Sequence, residues 1–154
     1  MPPLPLAYLL PLIPAAVLAR DDFRTRRVPV LWLAALGVSA IAAAWLTEGW
    51  RTMLLQTAGN AALLLLSGAL LAGYLRMRRL SVRHSAGAGD AAFLLAVAPL
   101  FAPAVFPYFL ISACIAALLW WAGCRGRRRT IPFVGAAGIV LIGWAALQFL
   151  RLWL

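Results

Sequence analysis

Acidic side chains are the residues of this sequence best suited to chemistry, and only four occur: Asp21, Asp22, Glu48 and Asp90. An ionisable group in or near hydrocarbon costs about 2.5 to 3.5 kcal/mol, so an acid kept there indicates a function. When two carboxylates lie close together, one holds a proton while the other activates water. We predict that Asp22 and Asp90 form such a pair, able to hydrolyse a peptide bond without a covalent intermediate. The alternative for each is an aspartate paired with a neighbouring arginine at the membrane surface.

The composition is that of an integral membrane protein. Hydrophobic residues make up 65% of the 154 residues and charged residues 12%, against roughly 45 to 50% and 25% in soluble domains. This balance excludes a soluble globular protein. The length predicts a single compact, membrane-embedded domain over residues 1–154, with no separate soluble domain.

The basic residues indicate a membrane topology rather than binding of nucleic acid. All fourteen are arginines, the formal net charge is +10, and most of them fall into three clusters between apolar runs. The clusters are Arg20, Arg24, Arg26 and Arg27; Arg76, Arg78, Arg79 and Arg83; and Arg125, Arg127, Arg128 and Arg129. If all three share one face, that face is cytoplasmic by the positive-inside rule. The expected partner of these arginines is a lipid bilayer with anionic headgroups, at about 1 kcal/mol each near the surface.

The apolar runs predict an all-α, polytopic transmembrane helix bundle of six spans, with the N and C termini outside, in the periplasm. The predicted spans are residues 4–19, 28–46, 52–75, two crossings within 91–122, and 131–150. Two crossings are preferred within 91–122 because they keep the three arginine clusters on one face. A turn is then expected near Pro99, Pro103 and Pro107. The first span contains three prolines, which predict an irregular start.

Asp90 begins the fourth predicted span at an unusual depth. A helix from Asp90 to about Leu100 rises only about 15 Å, roughly half of the hydrocarbon thickness. Asp90 is therefore expected to be partly buried in the membrane and reached from the cytoplasmic side. Gly87 and Gly89 would permit positive φ angles and close approach of another chain. Asp90 would also cap the helix that follows, which is the simplest alternative to a catalytic role.

Three short elements, taken in their order along the chain, resemble the type IV prepilin peptidases. Residues 22–29 resemble the aspartate, basic loop and Ile-Pro-Asn element of that family. Residues 87–90, Gly-Ala-Gly-Asp, match the GxGD element that names the wider group of membrane aspartic proteases. Residues 131–133, Ile-Pro-Phe, fall where the family carries an Ile-Pro-Phe segment that opens its last helix. The resemblance extends from the first span to the last.

The resemblance implies an aspartic endopeptidase of the bacterial inner membrane, in its minimal, peptidase-only form. Such an enzyme removes the short basic leader from prepilin or pseudopilin precursors at the cytoplasmic face. The residues carried over are Asp22 and Asp90 as the catalytic pair, supported by Gly87, Gly89, Asp21, Arg27, Pro29 and Pro132. Asp21 would tune Asp22 or substitute for it. No cofactor is predicted, and the sequence has no spacing of metal ligands.

Two departures from the family pattern favour a different function. Val30 stands where the family has an asparagine, and Ala92 where it usually has a lysine. They favour a non-catalytic membrane subunit, a degenerate relative that acts in assembly or as a scaffold. The cysteine-bearing domain of longer members is missing, so no N-methyltransferase activity is inferred. A small transporter or channel is a third candidate, but the spans offer it few polar residues, chiefly Gln56, Asn60 and Gln148.

Overall fold

The structure, a computed structural model, describes residues 5–79, 87–123 and 131–153. Within these ranges the regular secondary structure is helical and no strand occurs, which confirms the predicted all-α bundle. In the part of the chain that the structure describes, six α-helices follow one another. They are α1 (Leu12–Thr25), α2 (Val30–Glu48), α3 (Trp50–Met77), α4 (Ala88–Val97), α5 (Phe106–Gly123) and α6 (Phe133–Trp153).

Four of the helices have the length and composition of membrane spans: α2, α3, α5 and the Phe133–Leu150 part of α6. Their large apolar side chains face outward to an extent that is rare on a soluble monomer. On α3, for example, Leu55, Leu65 and Leu70 are 73%, 75% and 68% exposed. The bundle therefore presents an apolar surface to a lipid bilayer, whereas α1 and α4 are shorter than the four spans.

Helix α1 differs from the predicted first span at its end. A 3₁₀ turn (Pro5–Leu9) precedes the helix, which confirms the irregular start, and the α-helix begins at Leu12. It runs to Thr25 instead of ending at residue 19. Hydrophobicity marks the membrane boundary, whereas helical hydrogen bonding continues until a residue breaks it. Here Arg26 breaks it with a left-handed backbone (φ 57°), so Asp22 lies on the helix and not at its junction with a loop.

Helix α4 is short and ends within the bundle. A 3₁₀ turn (Ala98–Leu100) follows it and α5 begins at Phe106, which confirms the predicted turn. A helix that stops away from water leaves carbonyl oxygens without partners, at a considerable cost. The fully buried Asn60 of α3 supplies those partners. Its Nδ2 donates to the carbonyl oxygens of Ala98 (2.8 Å) and Phe101 (2.7 Å), which fixes the turn to α3.

Small residues set the distances between neighbouring helices. Gly138 of α6 packs so closely against α1 that a Cβ on this glycine would lie 3.2 Å from the carbonyl oxygen of Ala15. Gly37 of α2 lies against Ala96 of α4, at 3.7 Å by the same measure. The core enclosed by these contacts consists of large apolar side chains from several helices, including Leu18, Leu36, Phe93, Phe106 and Leu141.

Contacts between helix ends show that successive helices alternate in direction. The end of α1 meets the end of α5 and the start of α6, and the link before α2 meets the start of α4. Asn60, in the first half of α3, meets the end of α4, so the end of α3 lies toward the start of α4. The ends of α1, α3 and α5 and the starts of α2, α4 and α6 thus lie on one side of the molecule, which we refer to as the arginine end. It carries seven clustered arginines: Arg20, Arg24, Arg26, Arg27, Arg76, Arg78 and Arg79. Arg83 and the cluster at 125–129 lie outside the described residues.

Glu48, the acid outside the proposed pair, lies at the opposite end of the bundle. It accepts a hydrogen bond from the side-chain amide of the buried Gln56 of α3. Gln56 and Asn60 are two of the polar residues that a pore would need, and both donate to groups of the protein itself. These contacts give both residues a structural role and provide no support for the transporter hypothesis.

Candidate active site

Asp22 joins the end of α1 to the start of α6. Its side chain is buried, with 7% of the residue exposed, and Oδ2 accepts a hydrogen bond of 2.7 Å from the backbone N–H of Gly135. Because α6 begins at Phe133, this N–H is among the first four of the helix, which have no acceptor within it. The N-terminus of a helix also favours negative charge. Asp22 therefore caps a helix that is distant in sequence.

Gly135 is a glycine because Phe23 occupies the place where a side chain would go. A Cβ on Gly135 would lie 2.8 Å from Cε2 of Phe23. The Phe23 ring in turn packs on Trp120 near the end of α5, with 4.6 Å between ring centroids. Phe23 follows Asp22 directly in α1, so the ring contact and the carboxylate contact act on the same turn. These contacts join α1, α5 and α6 around the Asp22 carboxylate.

Asp90 lies in the first turn of α4 and not at the cap position where the sequence placed it, although its carboxylate still pairs with an N–H at the start of the helix. The cap position belongs to Gly87, and the helix begins at Ala88. Asp90 is the third helical residue, and its carboxylate reaches back to accept a hydrogen bond from the backbone N–H of Gly87. A Cβ on Gly87 would stand 2.9 Å from Oδ2 of Asp90. A side chain at position 87 would displace this carboxylate.

Both glycines of the GxGD element serve close approach, and the predicted use of positive φ angles is wrong. Gly87 has φ −77°, and Gly49 is the glycine with a positive φ in the described ranges. Gly89 packs on the link between α1 and α2, where a Cβ would lie 3.0 Å from Cγ2 of Val28. This contact brings the start of α4 against the segment that follows Asp22. Pro29, next in that link, precedes the first residue of α2.

The two carboxylates interact electrostatically although they are distant in sequence. Burial raises the pKa of the Asp90 carboxyl above its ordinary value, and the negative charge of Asp22 raises it further; the hydrogen bond from Gly87 acts in the opposite direction. Asp90 lies outside the four membrane-spanning helices. Its environment therefore makes Asp90 hold a proton more readily than an ordinary aspartate, whereas the environment of Asp22 offers a backbone hydrogen-bond donor to its side chain. Environments that differ in this way suit a general acid and a general base.

The remaining predicted residues surround this pair with different exposures. Asp21 is half-buried on an adjacent face of α1, and its carbonyl oxygen accepts a hydrogen bond from Thr25 Oγ1. Arg27 is exposed, and Pro132, the residue before α6, is fully buried. Within the described ranges no three His, Cys, Asp or Glu side chains group as metal ligands.

The sequence reading missed three residues of the site: Phe23, Trp120 and Gly135. Gly135 lies two positions beyond the Ile-Pro-Phe segment, so it enters the first turn of the helix that this segment opens. That position could have been identified as a source of unpaired N–H groups. Nothing in the sequence indicated that Asp22 would receive one of them.

Comparison with known proteins leaves the function to be argued from the site. The chain matches no family model, no curated protein and no solved structure.

Proposed function

We propose that this chain is an aspartic endopeptidase that cleaves the short leader of prepilin-like precursors at the cytoplasmic face of the bacterial inner membrane. One observation carries the proposal. Asp22 and Asp90 come from distant parts of the chain, yet both lie at the arginine end, where the charge of one acts on the other. The order of the three family-like elements, residues 22–29, 87–90 and 131–133, supports the same function.

We infer a role for each carboxylate from its environment. Asp22, held by the Gly135 N–H, takes a proton from water as the water oxygen attacks the scissile carbonyl carbon. Asp90, whose carboxyl has a pKa raised by burial and by the charge of Asp22, donates its proton to the carbonyl oxygen. The resulting tetrahedral diol collapses: the C–N bond breaks, the proton held by Asp22 passes to the leaving amine, and one hydroxyl of the diol returns its proton to Asp90 as the carboxylic acid product forms. Water is consumed, and no covalent bond to the protein forms.

The departure at Val30 is compatible with this mechanism. Val30, the first residue of α2, is 78% exposed, so the change from asparagine removes no polar group from the buried surroundings of Asp22. The arginine end is cytoplasmic by the positive-inside rule. Since the leader is itself basic, we expect the precursor to bind through its apolar helix, laid against the lipid-facing surface of the bundle.

Co-expression with a panel of prepilin and pseudopilin precursors tests the proposal. At least one precursor should be shortened by the mass of its leader, as measured by mass spectrometry of the membrane fraction. The double variant Asp22→Asn with Asp90→Asn is the control and should leave every precursor intact. Cleavage that persists in the double variant would rule out the proposed pair.

A scaffold function has one observation in its favour. The Asp22 carboxylate caps α6, and this bond would be useful in a protein without any catalysis. A scaffold would co-purify with precursors and leave their mass unchanged in both the wild type and the double variant. The same co-expression therefore separates the two functions.

Gly135→Ala is expected to lower cleavage roughly 10- to 100-fold, because small displacements of a catalytic group have effects of this size. The new Cβ would stand 2.8 to 3.0 Å from three atoms of the Phe23 ring, which is confined by Trp120. The ring must shift, and Asp22 beside it moves too. Initial rates of leader removal by purified protein in detergent measure the effect.

Two companion variants interpret that result. Gly143→Ala makes the same change in the same helix at a position with no atom within 4 Å of the new Cβ, and it should cleave normally. Phe23→Leu combined with Gly135→Ala shortens the obstructing side chain and should recover part of the lost rate. Equal losses in Gly135→Ala and Gly143→Ala would contradict a positioning role for Gly135.

A further inference from the structure

Arg26 holds a backbone conformation that an arginine adopts only at a cost. It closes α1 with φ 57° and ψ 29°, and its N–H donates to the carbonyl oxygen of Asp22 at 3.2 Å. Glycine is the usual residue in such a left-handed position, because a side chain there costs roughly 1 to 2 kcal/mol. The side chain of Arg26 must therefore contribute something that glycine would not.

The guanidinium of Arg26 has buried nitrogens without a partner. Nη1 and Nη2 are shielded from solvent, and neither makes a hydrogen bond. Among the described acids, Asp21 and Asp22 lie on the preceding turn and Asp90 on the adjoining helix, yet no ion pair joins any of them to Arg26. A buried guanidinium left in this state is strongly unfavourable. An anion is the kind of partner that would offset this cost.

The charges around Arg26 favour an anion from outside the chain. Arg20, Arg24 and Arg27 are exposed on the same segment, so the local potential is positive. Arg26 lies four residues before Val30, where α2, the first of the four membrane-spanning helices, begins. A residue just before a membrane-spanning helix is expected at the level of the lipid headgroups, whose phosphates are the most abundant anions there. The planar fork of a guanidinium also matches two phosphate oxygens.

We propose that Arg26 binds the phosphate of an anionic phospholipid between the end of α1 and the start of α2. The site requires no peptidase activity, so it stands or falls independently of the proposed function. A bound phosphate pairs with the buried guanidinium and offsets the free-energy cost of the left-handed backbone. It also attaches the link between α1 and α2, beside Asp22, to the headgroup layer. Bound lipid thereby stabilises the folded bundle by ordinary linkage.

Thermal unfolding of the full chain in detergent tests the proposal, with short-chain phosphatidylglycerol added in increasing amounts. The lipid should raise the unfolding midpoint of the wild type and of Arg24→Gln, an exposed control that loses the same charge. Arg26→Gln and Arg26→Gly should lose at least half of that shift. Equal shifts in the wild type and both Arg26 variants would overturn the proposal.

Two further arms of the experiment test the source of the anion and the stability of the protein without lipid. Inorganic phosphate at matched concentration should give little shift; a shift as large as that from the lipid would overturn the lipid assignment. Without lipid, Arg26→Gly should unfold no earlier than the wild type, because glycine suits φ 57° and removes the unpaired charge. An earlier midpoint for this variant would mean that Arg26 already has a partner in the protein.

Discussion

Replacing Asp22 with asparagine is expected to abolish precursor cleavage while leaving the fold intact. The amide oxygen of asparagine can accept the bond from the Gly135 N–H that Asp22 accepts at 2.7 Å, so the joint between α1 and α6 remains. What disappears is the charge that takes a proton from water. Loss of a general base typically costs roughly 10²- to 10⁴-fold, and we expect the upper part of that range. Rates of leader release and the unfolding midpoint are the two measurements.

Three other substitutions separate catalysis from structure at this position. Glu48→Gln makes the same change of acid to amide at the opposite end of the bundle and should cleave normally. Asp21→Asn tests the register of the motif and should retain most activity, because the buried acid bound to Gly135 is Asp22. Asp22→Ala leaves the Gly135 N–H unpaired and should destabilise the protein by about 1 to 3 kcal/mol. Normal cleavage by Asp22→Asn would give Asp22 a structural role alone.

The helical architecture could be predicted from the sequence because it follows from local composition. Long apolar runs between arginine clusters fix the four spans to within a few residues of their observed ends. The break after α4 was also predictable, since three prolines lie close together. Asn60 as the partner of that break was not. It binds Ala98 and Phe101 across the bundle, and no local pattern indicates which polar side chain will meet which carbonyl.

The candidate site was predicted in its residues but not in its geometry. Local sequence identified Gly87, Gly89 and Asp90 and offered two uses for the glycines, positive φ angles and close approach, of which only close packing against Asp90 and Val28 occurs. The end of α1 was misplaced because hydrophobicity falls at residue 20, although helical hydrogen bonding continues to Thr25. The bond from Gly135 to Asp22 depends on the packing of α6 against α1, and a tertiary contact of this kind leaves no trace in either segment alone.

Asp90→Asn is expected to stop cleavage and, unlike most changes at a buried site, to raise the unfolding temperature at neutral pH. Burial and the charge of Asp22 both raise the pKa of the Asp90 carboxyl above the ordinary value of 3.8. The folded state therefore disfavours the carboxylate relative to the unfolded chain. This penalty is fully present above the folded pKa and disappears as the pH falls through it, because protonation relieves it. Asparagine removes the charge and keeps an oxygen for the Gly87 N–H.

Thermal unfolding of the wild type and Asp90→Asn across acidic to neutral pH measures this effect without any substrate. The two midpoints should converge at the acidic end and separate as the pH rises, with the variant more stable. In an Asp22→Asn background the separation should shrink, because one of the two causes of the raised pKa is gone; the difference is the coupling between the acids. A variant less stable than the wild type at neutral pH would mean that the Asp90 charge is stabilised in the folded state, and Asp90 would then be unsuited to hold the proton that the mechanism requires.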